Sequence, residues 1–217
     1  MLTLNPAREK GLYLDDVSIA LAGAPLLRVS CAIAPGEIVT VVGESGSGKS
    51  TLLAYVGGFL DPVFAASGRV ELDGADITAL APQERRLGLL FQDDLLFPHL
   101  SVRGNLLFAI PPSVRSRRER LARADAALAD VGLAGFGDRD PATLSGGQRS
   151  RIALIRMLLS KPRALLLDEP FSKLDPARRA RIRTLVFEKA RAECLPVLLV
   201  THDAADAEAA GGPILEI

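Results

Sequence analysis

Four short runs, Ile38–Val42, Gly88–Phe91, Ala164–Leu167 and Val197–Thr201, are apolar at consecutive rather than alternate positions. A strand covered on both faces reads this way, so these runs are expected to be neighbours in a largely parallel sheet flanked by helices. Leu12–Leu21 and Leu26–Ala34, with Arg69–Asp73, read instead as edge or antiparallel strands, with turns at Pro35-Gly36 and Asp73-Gly74. Between about Leu95 and Leu159 the strand-like runs disappear. Arg115–Val131 carries apolar residues at helical spacing and ends at Gly132, and Pro111-Pro112 divides this region into at least two helices. The pattern predicts an α/β protein: a core from residues 1–92 and 161–217, with edge or antiparallel strands near its start, and a mostly helical insertion over about 93–160.

The 217 residues allow one domain with a substantial core and a small subdomain attached. The formal net charge is zero, so nothing global draws the chain to nucleic acid or to an acidic membrane surface. Arg115, Arg117, Arg118, Arg120 and Arg123 form a basic cluster, but acidic residues interleave and no aromatics accompany them. It reads as a solvated helix face, with an anionic partner as the alternative. Cys31 and Cys194 lie far apart without metal-ligand spacing. Both are expected to pack as small hydrophobes in a reducing compartment. Met1–Lys10 shows no secretory signal, and no run of about 18 apolar residues occurs. A membrane role would therefore need another chain to do the crossing.

After the run Ile38–Val42 the chain enters Gly43-Glu44-Ser45-Gly46-Ser47-Gly48-Lys49-Ser50-Thr51, which matches G-x-x-x-x-G-K-[ST] between a strand and a helix. Glycines let successive backbone N–H groups close on phosphate oxygens, and the helix start adds its positive end. The pattern predicts a nucleoside triphosphate site, with Lys49 reaching the β- and γ-phosphates and Ser50 a ligand of Mg²⁺. The run Leu165–Leu167 ends in Asp168-Glu169. Asp168 is expected to hold the metal and Glu169 to polarise the attacking water. Gln92 and His202 each follow another predicted core strand. Ligands in open α/β sheets gather at such ends, so Gln92 is a candidate for metal or water and His202 for the γ-phosphate.

Leu144-Ser145-Gly146-Gly147-Gln148, about 20 residues before Asp168, resembles the signature motif of ABC-type ATPases. The order of phosphate loop, Gln92, LSGGQ, Asp168-Glu169, Ser172-Lys173-Leu174-Asp175 and His202 resembles that family over nearly the whole chain. The resemblance implies a RecA-like P-loop NTPase core with an antiparallel β subdomain and an inserted helical subdomain, in a single ABC ATPase domain over 1–217. It also implies a head-to-tail dimer in which Ser145, Gly146, Gly147 and Gln148 meet ATP held on the opposite subunit's loop, with Asp175 at the interface. Two departures stand out. Leu21 occupies the place where relatives stack adenine on an aromatic residue, and Lys173 replaces a small residue.

Three kinds of ABC protein compete: an importer subunit, an exporter or lipoprotein-release subunit, and a soluble protein acting on DNA or ribosomes. About 95 residues separate Lys49 from Ser145, without the sustained heptads of DNA-acting relatives, and only one cassette is present. The 15 residues after His202 leave no room for the regulatory domain of many sugar importers. Asp93-Asp94-Leu95-Leu96-Phe97-Pro98-His99-Leu100-Ser101-Val102 resembles the ATPases of sulfate, molybdate, iron, polyamine and thiamine importers. That likeness implies a membrane permease seated on this segment, a periplasmic solute-binding protein in the complex, and a place on the cytoplasmic face of the inner membrane. The transported solute does not touch such a subunit and is not encoded in it.

Overall fold

The computed structural model describes residues 10–44, 46–91 and 93–217. The chain runs through β1 (Leu12–Leu21), β2 (Ala24–Ile33), β3 (Ile38–Val42), α1 (Lys49–Gly57), β4 (Phe64–Leu72), β5 (Ala75–Asp76), α2 (Pro82–Arg85) and β6 (Leu87–Leu90). It continues with α3 (Val102–Ala109), α4 (Arg117–Asp130), α5 (Gly146–Leu159), β7 (Ala164–Asp168), α6 (Pro176–Ala192), β8 (Val197–Val200), α7 (Ala204–Ala210) and β9 (Ile214–Glu216). Two compact units result. One holds the residues up to Leu89 with Arg163–Glu169 and Val186–Ile217; the other holds Leu90–Pro162 and Pro170–Leu185.

The first unit carries both sheets. The alternating N-terminal stretches form an antiparallel sheet in the order β2-β1-β4-β5, and the consecutively apolar runs form a second sheet in the order β6-β7-β8-β3-β9. Pairing is parallel between β3 and β8 and between β7 and β8. Every residue of β8 and the first four of β3 and of β7 are buried, as strands covered on both faces must be. Leu12, Val17 and Ile19 of β1 share one core with Leu52 and Val56 of α1 and with Val39 and Val41 of β3. Arg85 fastens the far end of α1 by donating to the carbonyls of Tyr55 and Val56 as well as Leu80.

β4 begins at Phe64, five residues before the expected strand, and β9 was not expected at all. Ala65, Ala66, Ser67 and Gly68 are poor strand formers, so only cross-strand pairing with β1 makes them one. Of the two cysteines, Cys31 packs against the core as expected and Cys194 does not. Cys31 is half-buried, and its thiol is pushed up to about 11 by burial. Cys194 is exposed, because it takes the left-handed conformation (φ 53°) that turns the chain out of α6.

In the second unit, α3 and α4 are separated at Pro111-Pro112 as expected. The basic cluster is partly structural. Arg120 donates to the carbonyls of Leu107, Ile110 and Pro111, capping the end of α3, and Arg123 pairs with Glu119 one turn away. Arg115, Arg117 and Arg118 stay in solvent.

Candidate active site

The loop between β3 and α1 has the shape its glycines allow. Gly48 precedes the helix with φ 95°, a left-handed conformation that suits glycine. A Cβ there would lie 2.8 Å from Leu27 Cδ2 and 2.9 Å from Leu26 Cγ, so these leucines would have to shift to admit another residue. The first helical bond runs from Leu52 N to Gly48 O at 2.8 Å. The N–H groups of Lys49, Ser50 and Thr51 therefore have no intrahelical acceptor, and with the helix dipole they make a site for an anion. Lys49 Nζ lies over the loop, donating to the carbonyls of Gly43 (2.9 Å) and Glu44 (2.6 Å). Ser47 N donates to Glu44 O at 3.2 Å, closing the turn that contains Gly46. Ser45 lies outside the described residues.

Asp168 ends β7, half-buried, and hydrogen-bonds the Ser50 hydroxyl. Burial pushes its carboxyl above the ordinary range; the Ser50 bond lowers it, Glu169 raises it and Lys49 lowers it. Glu169 has φ 46°, a conformation costing a non-glycine residue on the order of 1 kcal/mol. Its N–H donates to Val200 O at 2.9 Å, so the end of β8 fixes the turn. The Glu169 carboxylate meets His202 Nδ1 at 2.8 Å. His202 is positioned by its neighbours: Thr201 Oγ1 accepts from Asp203 N, and Asp203 caps α7 through Ala205 N. Lys49, Ser50, Asp168, Glu169 and His202 thus gather in the first unit. Gln92 lies outside the described residues.

The second unit holds the signature residues. Ser145 caps α5, its Oγ accepting from Gln148 N (3.3 Å) while Gln148 Oε1 accepts from Ser145 N (2.9 Å). This reciprocal pair is a capping box. The N–H groups of Gly146 and Gly147 remain at the open helix start. A Cβ on Gly147 would lie 3.0 Å from Lys173 O, so the glycine admits the backbone of Ser172–Asp175 close to α5. Asp175 Oδ1 accepts from Arg178 N at 3.1 Å in the first turn of α6.

The segment after residue 92 is tied down by groups that sequence reasoning missed. Asp94 accepts from Ser150 Oγ (2.6 Å) and pairs with Arg149 (3.4 Å), both on α5. Arg156, also on α5, donates to the carbonyl of Leu95 and lies over the Phe97 ring. Buried Asn105 accepts from Phe97 N and donates to the carbonyls of Phe97, Leu100 and Ser101. Lys173 pairs with Asp93 at 3.7 Å. A pocket of about 390 Å³ lies here, lined by Asp93–Leu96, Pro98, Arg149 and Lys173 among others. Leu95 is 57% exposed and Phe108, edge-on to Phe97, is 69% exposed.

A sequence model of the ABC transporter family matches residues 26–172, spanning both the phosphate loop and the capped glycine pair. The chain belongs to the ABC transporter family. The ABC cassette is 47% identical to the uncharacterized ABC transporter ATP-binding protein YnjD of Escherichia coli (strain K12), over 91% of each chain. It is 47% identical to the thiamine import ATP-binding protein ThiQ of Cereibacter sphaeroides, over 90% of this chain and 83% of that one. It is 41% identical to the Fe(3+) ions import ATP-binding protein FbpC 1 of Rhizobium meliloti, over 86% of this chain and 52% of that one. Its fold matches the ATP-binding cassette MJ0796, solved as a dimer in a post-hydrolysis state bound to ADP and Pi. The TM-score is 0.82 at 31% identity, over 95% of this chain and 94% of the other. This ABC cassette is thus an ATPase with an α/β fold of one antiparallel and one largely parallel sheet.

Proposed function

We propose that this ABC ATPase powers a membrane importer of a small solute, working as a head-to-tail pair of identical cassettes. The observation that carries the importer reading is the 47% identity to a thiamine import ATP-binding protein over nine-tenths of the chain. The pairing rests on chemistry. The capped start of α5 offers the N–H groups of Gly146 and Gly147 to an anion, and a second copy's nucleotide supplies one. The dimeric state of MJ0796 supports this.

Each residue then has a task. The loop Gly43–Thr51 binds the phosphates through its N–H groups. Lys49 exchanges the carbonyls of Gly43 and Glu44 for phosphate oxygens. Ser145, Gly146, Gly147 and Gln148 close on the γ-phosphate from the other copy, and Asp175 lies at the interface. Glu169 polarises the attacking water. His202, held on Glu169, faces the γ-phosphate, while Gln92 attends the water or the metal.

Ser50 and Asp168 suit Mg²⁺: two hard oxygens lie side by side, and a second cation offsets the cost of burying part of the carboxylate. Among the described residues no cluster of three or more His, Cys, Asp or Glu side chains could hold a metal. That agrees with a Mg²⁺ ion completed by phosphate and water, whose chemistry is to neutralise charge on the phosphates. Hydrolysis removes the γ-phosphate contacts that favour the closed pair, and the pair opens.

No helix among the described residues is long and apolar enough to cross a membrane. A permease therefore seats on Asp93–Val102, where Leu95 and Phe108 offer apolar surface and the pocket receives a short helix. The cassette then works on the cytoplasmic face of the inner membrane, with a periplasmic solute-binding protein delivering the solute and no nucleic acid involved.

The test is reconstitution in vesicles with a permease that co-purifies with the cassette. ATP-dependent uptake, lost with Glu169→Gln, is the expected result. ATP-driven release of solute from the cytoplasmic side would overturn the importer reading.

A further inference from the structure

Arg151 is a buried charge outside the phosphate and metal sites. It lies on α5, one turn after Gly147, and is 4% exposed. Its Nη1 donates to the carbonyl of Val131 at 2.6 Å and its Nε to the carbonyl of Gly147 at 3.2 Å. Val131 closes α4, and Gly132 turns the chain away with φ 69°. A Cβ on Gly132 would lie 3.8 Å from Arg151 Nη1, so the guanidinium sits against this turn. Burial pulls the guanidinium below the usual arginine range; Arg178 lowers it further and Asp175 raises it. It stays charged at neutral pH all the same. The negative end of the α4 dipole suits a cation there.

The two acceptors matter more than the charge. The carbonyl of Gly147 is also the helical acceptor for Arg151 N, so the side chain folds back onto its own first turn. A planar guanidinium holds two carbonyls at a fixed separation, whereas an ammonium is a point donor on a flexible stem. Arg151 therefore sets the distance between the last carbonyl of α4 and the first turn of α5. That first turn also meets the Ser172–Asp175 backbone, since a Cβ on Gly147 would lie 3.0 Å from Lys173 O. We propose that Arg151 is a positioning residue for hydrolysis: it fixes where Gly146 and Gly147 present their N–H groups to the nucleotide of a second copy. This rests on the reading of Ser145–Gln148 as a phosphate-facing helix start. Backbone donors cannot be re-aimed by a change of rotamer, so the seating of the helix alone sets their direction. A misplacement of about 1 Å is enough to cost about 100-fold in rate.

The test uses the full chain with MgATP and the variants Arg151→Lys, Gly132→Ala and their combination. Gly132→Ala strains the turn that follows the Val131 carbonyl and leaves Arg151 intact. Monomer affinity comes from displacement of a fluorescent nucleotide, turnover from phosphate release at saturating ATP, and pairing from light scattering in a Glu169→Gln background. All are read at a temperature where near-UV circular dichroism shows each variant fully folded. Arg151→Lys is expected to keep monomer affinity within about twofold while turnover and dimer affinity each fall by about 10- to 100-fold. Gly132→Ala should show the same split more weakly, and the double variant should be no worse than Arg151→Lys alone, because both loosen one contact. A purely structural arginine would lower Tm and leave the folded variant pairing and turning over as wild type. That result overturns the proposal, as does full additivity of the two substitutions. If Arg151→Lys does not fold, Gly132→Ala decides by the same split. Ser145→Asp in the same assays tells the two readings apart. Normal pairing and turnover there would remove the phosphate-facing helix start, and the positioning role with it. Loss of pairing there, beside wild-type behaviour in Arg151→Lys, would remove the positioning role alone.

Discussion

Ser145 has two tasks that a pair of substitutions can separate. Its hydroxyl accepts from Gln148 N, and in the proposed dimer the same helix start meets the γ-phosphate of a second copy. Ser145→Ala removes the acceptor while Gln148 still bonds back to the backbone of residue 145. Losing such a cap costs about 1 kcal/mol, or roughly 2–4 °C in Tm for a chain of this size. Ser145→Asp keeps the cap, since Asp serves about as well there, and adds a negative charge at the helix start. Stability should therefore stay near wild type. Against a phosphate about 4 Å away at an effective dielectric of about 20, however, the new charge opposes closure by about 4 kcal/mol, or close to three decades in dimer affinity. Thermal unfolding, nucleotide binding by the monomer and phosphate release together read the outcome. Ser145→Ala should melt lower and keep part of its turnover. Ser145→Asp should melt normally, bind ATP and fail to hydrolyse it. Wild-type turnover in Ser145→Asp would refute the placement of this residue against phosphate, and equal melting losses in the two variants would refute the capping argument.

Glu169→Gln should abolish turnover, keep ATP binding and trap a stable dimer, visible by light scattering; turnover near wild type would remove Glu169 as the group that polarises water. Asp168 carries a carboxyl raised by burial above its ordinary 3.8, so the folded state takes up its proton more readily than the unfolded one. By linkage its contribution is fully present below 3.8 and is lost as pH rises through the raised folded value. Asp168→Asn should therefore raise the neutral-pH Tm of nucleotide-free protein while removing the Mg²⁺ dependence of ATP binding; a lower Tm would contradict the sign. Asp94→Ala leaves the buried Ser150 hydroxyl without its acceptor, at a cost of about 1–3 kcal/mol. A double-mutant cycle with Ser150→Ala should recover most of that loss, and full additivity of the two would show that they do not interact.

The site was legible where its chemistry is contiguous. Gly43–Thr51 could be read because a phosphate loop is one stretch between one strand and one helix, and β3, β7 and β8 because burial on both faces leaves consecutive apolar residues. The same logic fails for β9, three residues whose pairing with β3 exists only in the fold. It fails for Glu169 too: its residue type suggested the role, but the left-handed backbone is imposed by the end of β8. Asn105, Arg156 and Asp94 were missed because their partners are distant in sequence or are main-chain carbonyls, neither of which leaves periodicity behind.

The bonds from α5 to the segment after residue 92 have a mechanical meaning. Asp94 and the carbonyl of Leu95 are held at Ser150, Arg149 and Arg156, spread over two turns of one helix. A strip pinned at several points along a rod has little compliance of its own. Load applied to Leu95 or Phe97 cannot be absorbed by bending the loop, so it displaces the rod, and the rod begins at Gly146. In the proposed importer, stiffness here would set how much of a permease's movement arrives at the end of α5 that meets the second copy's phosphate. Loosening any one pin should make the two ends slip before it makes either of them fail.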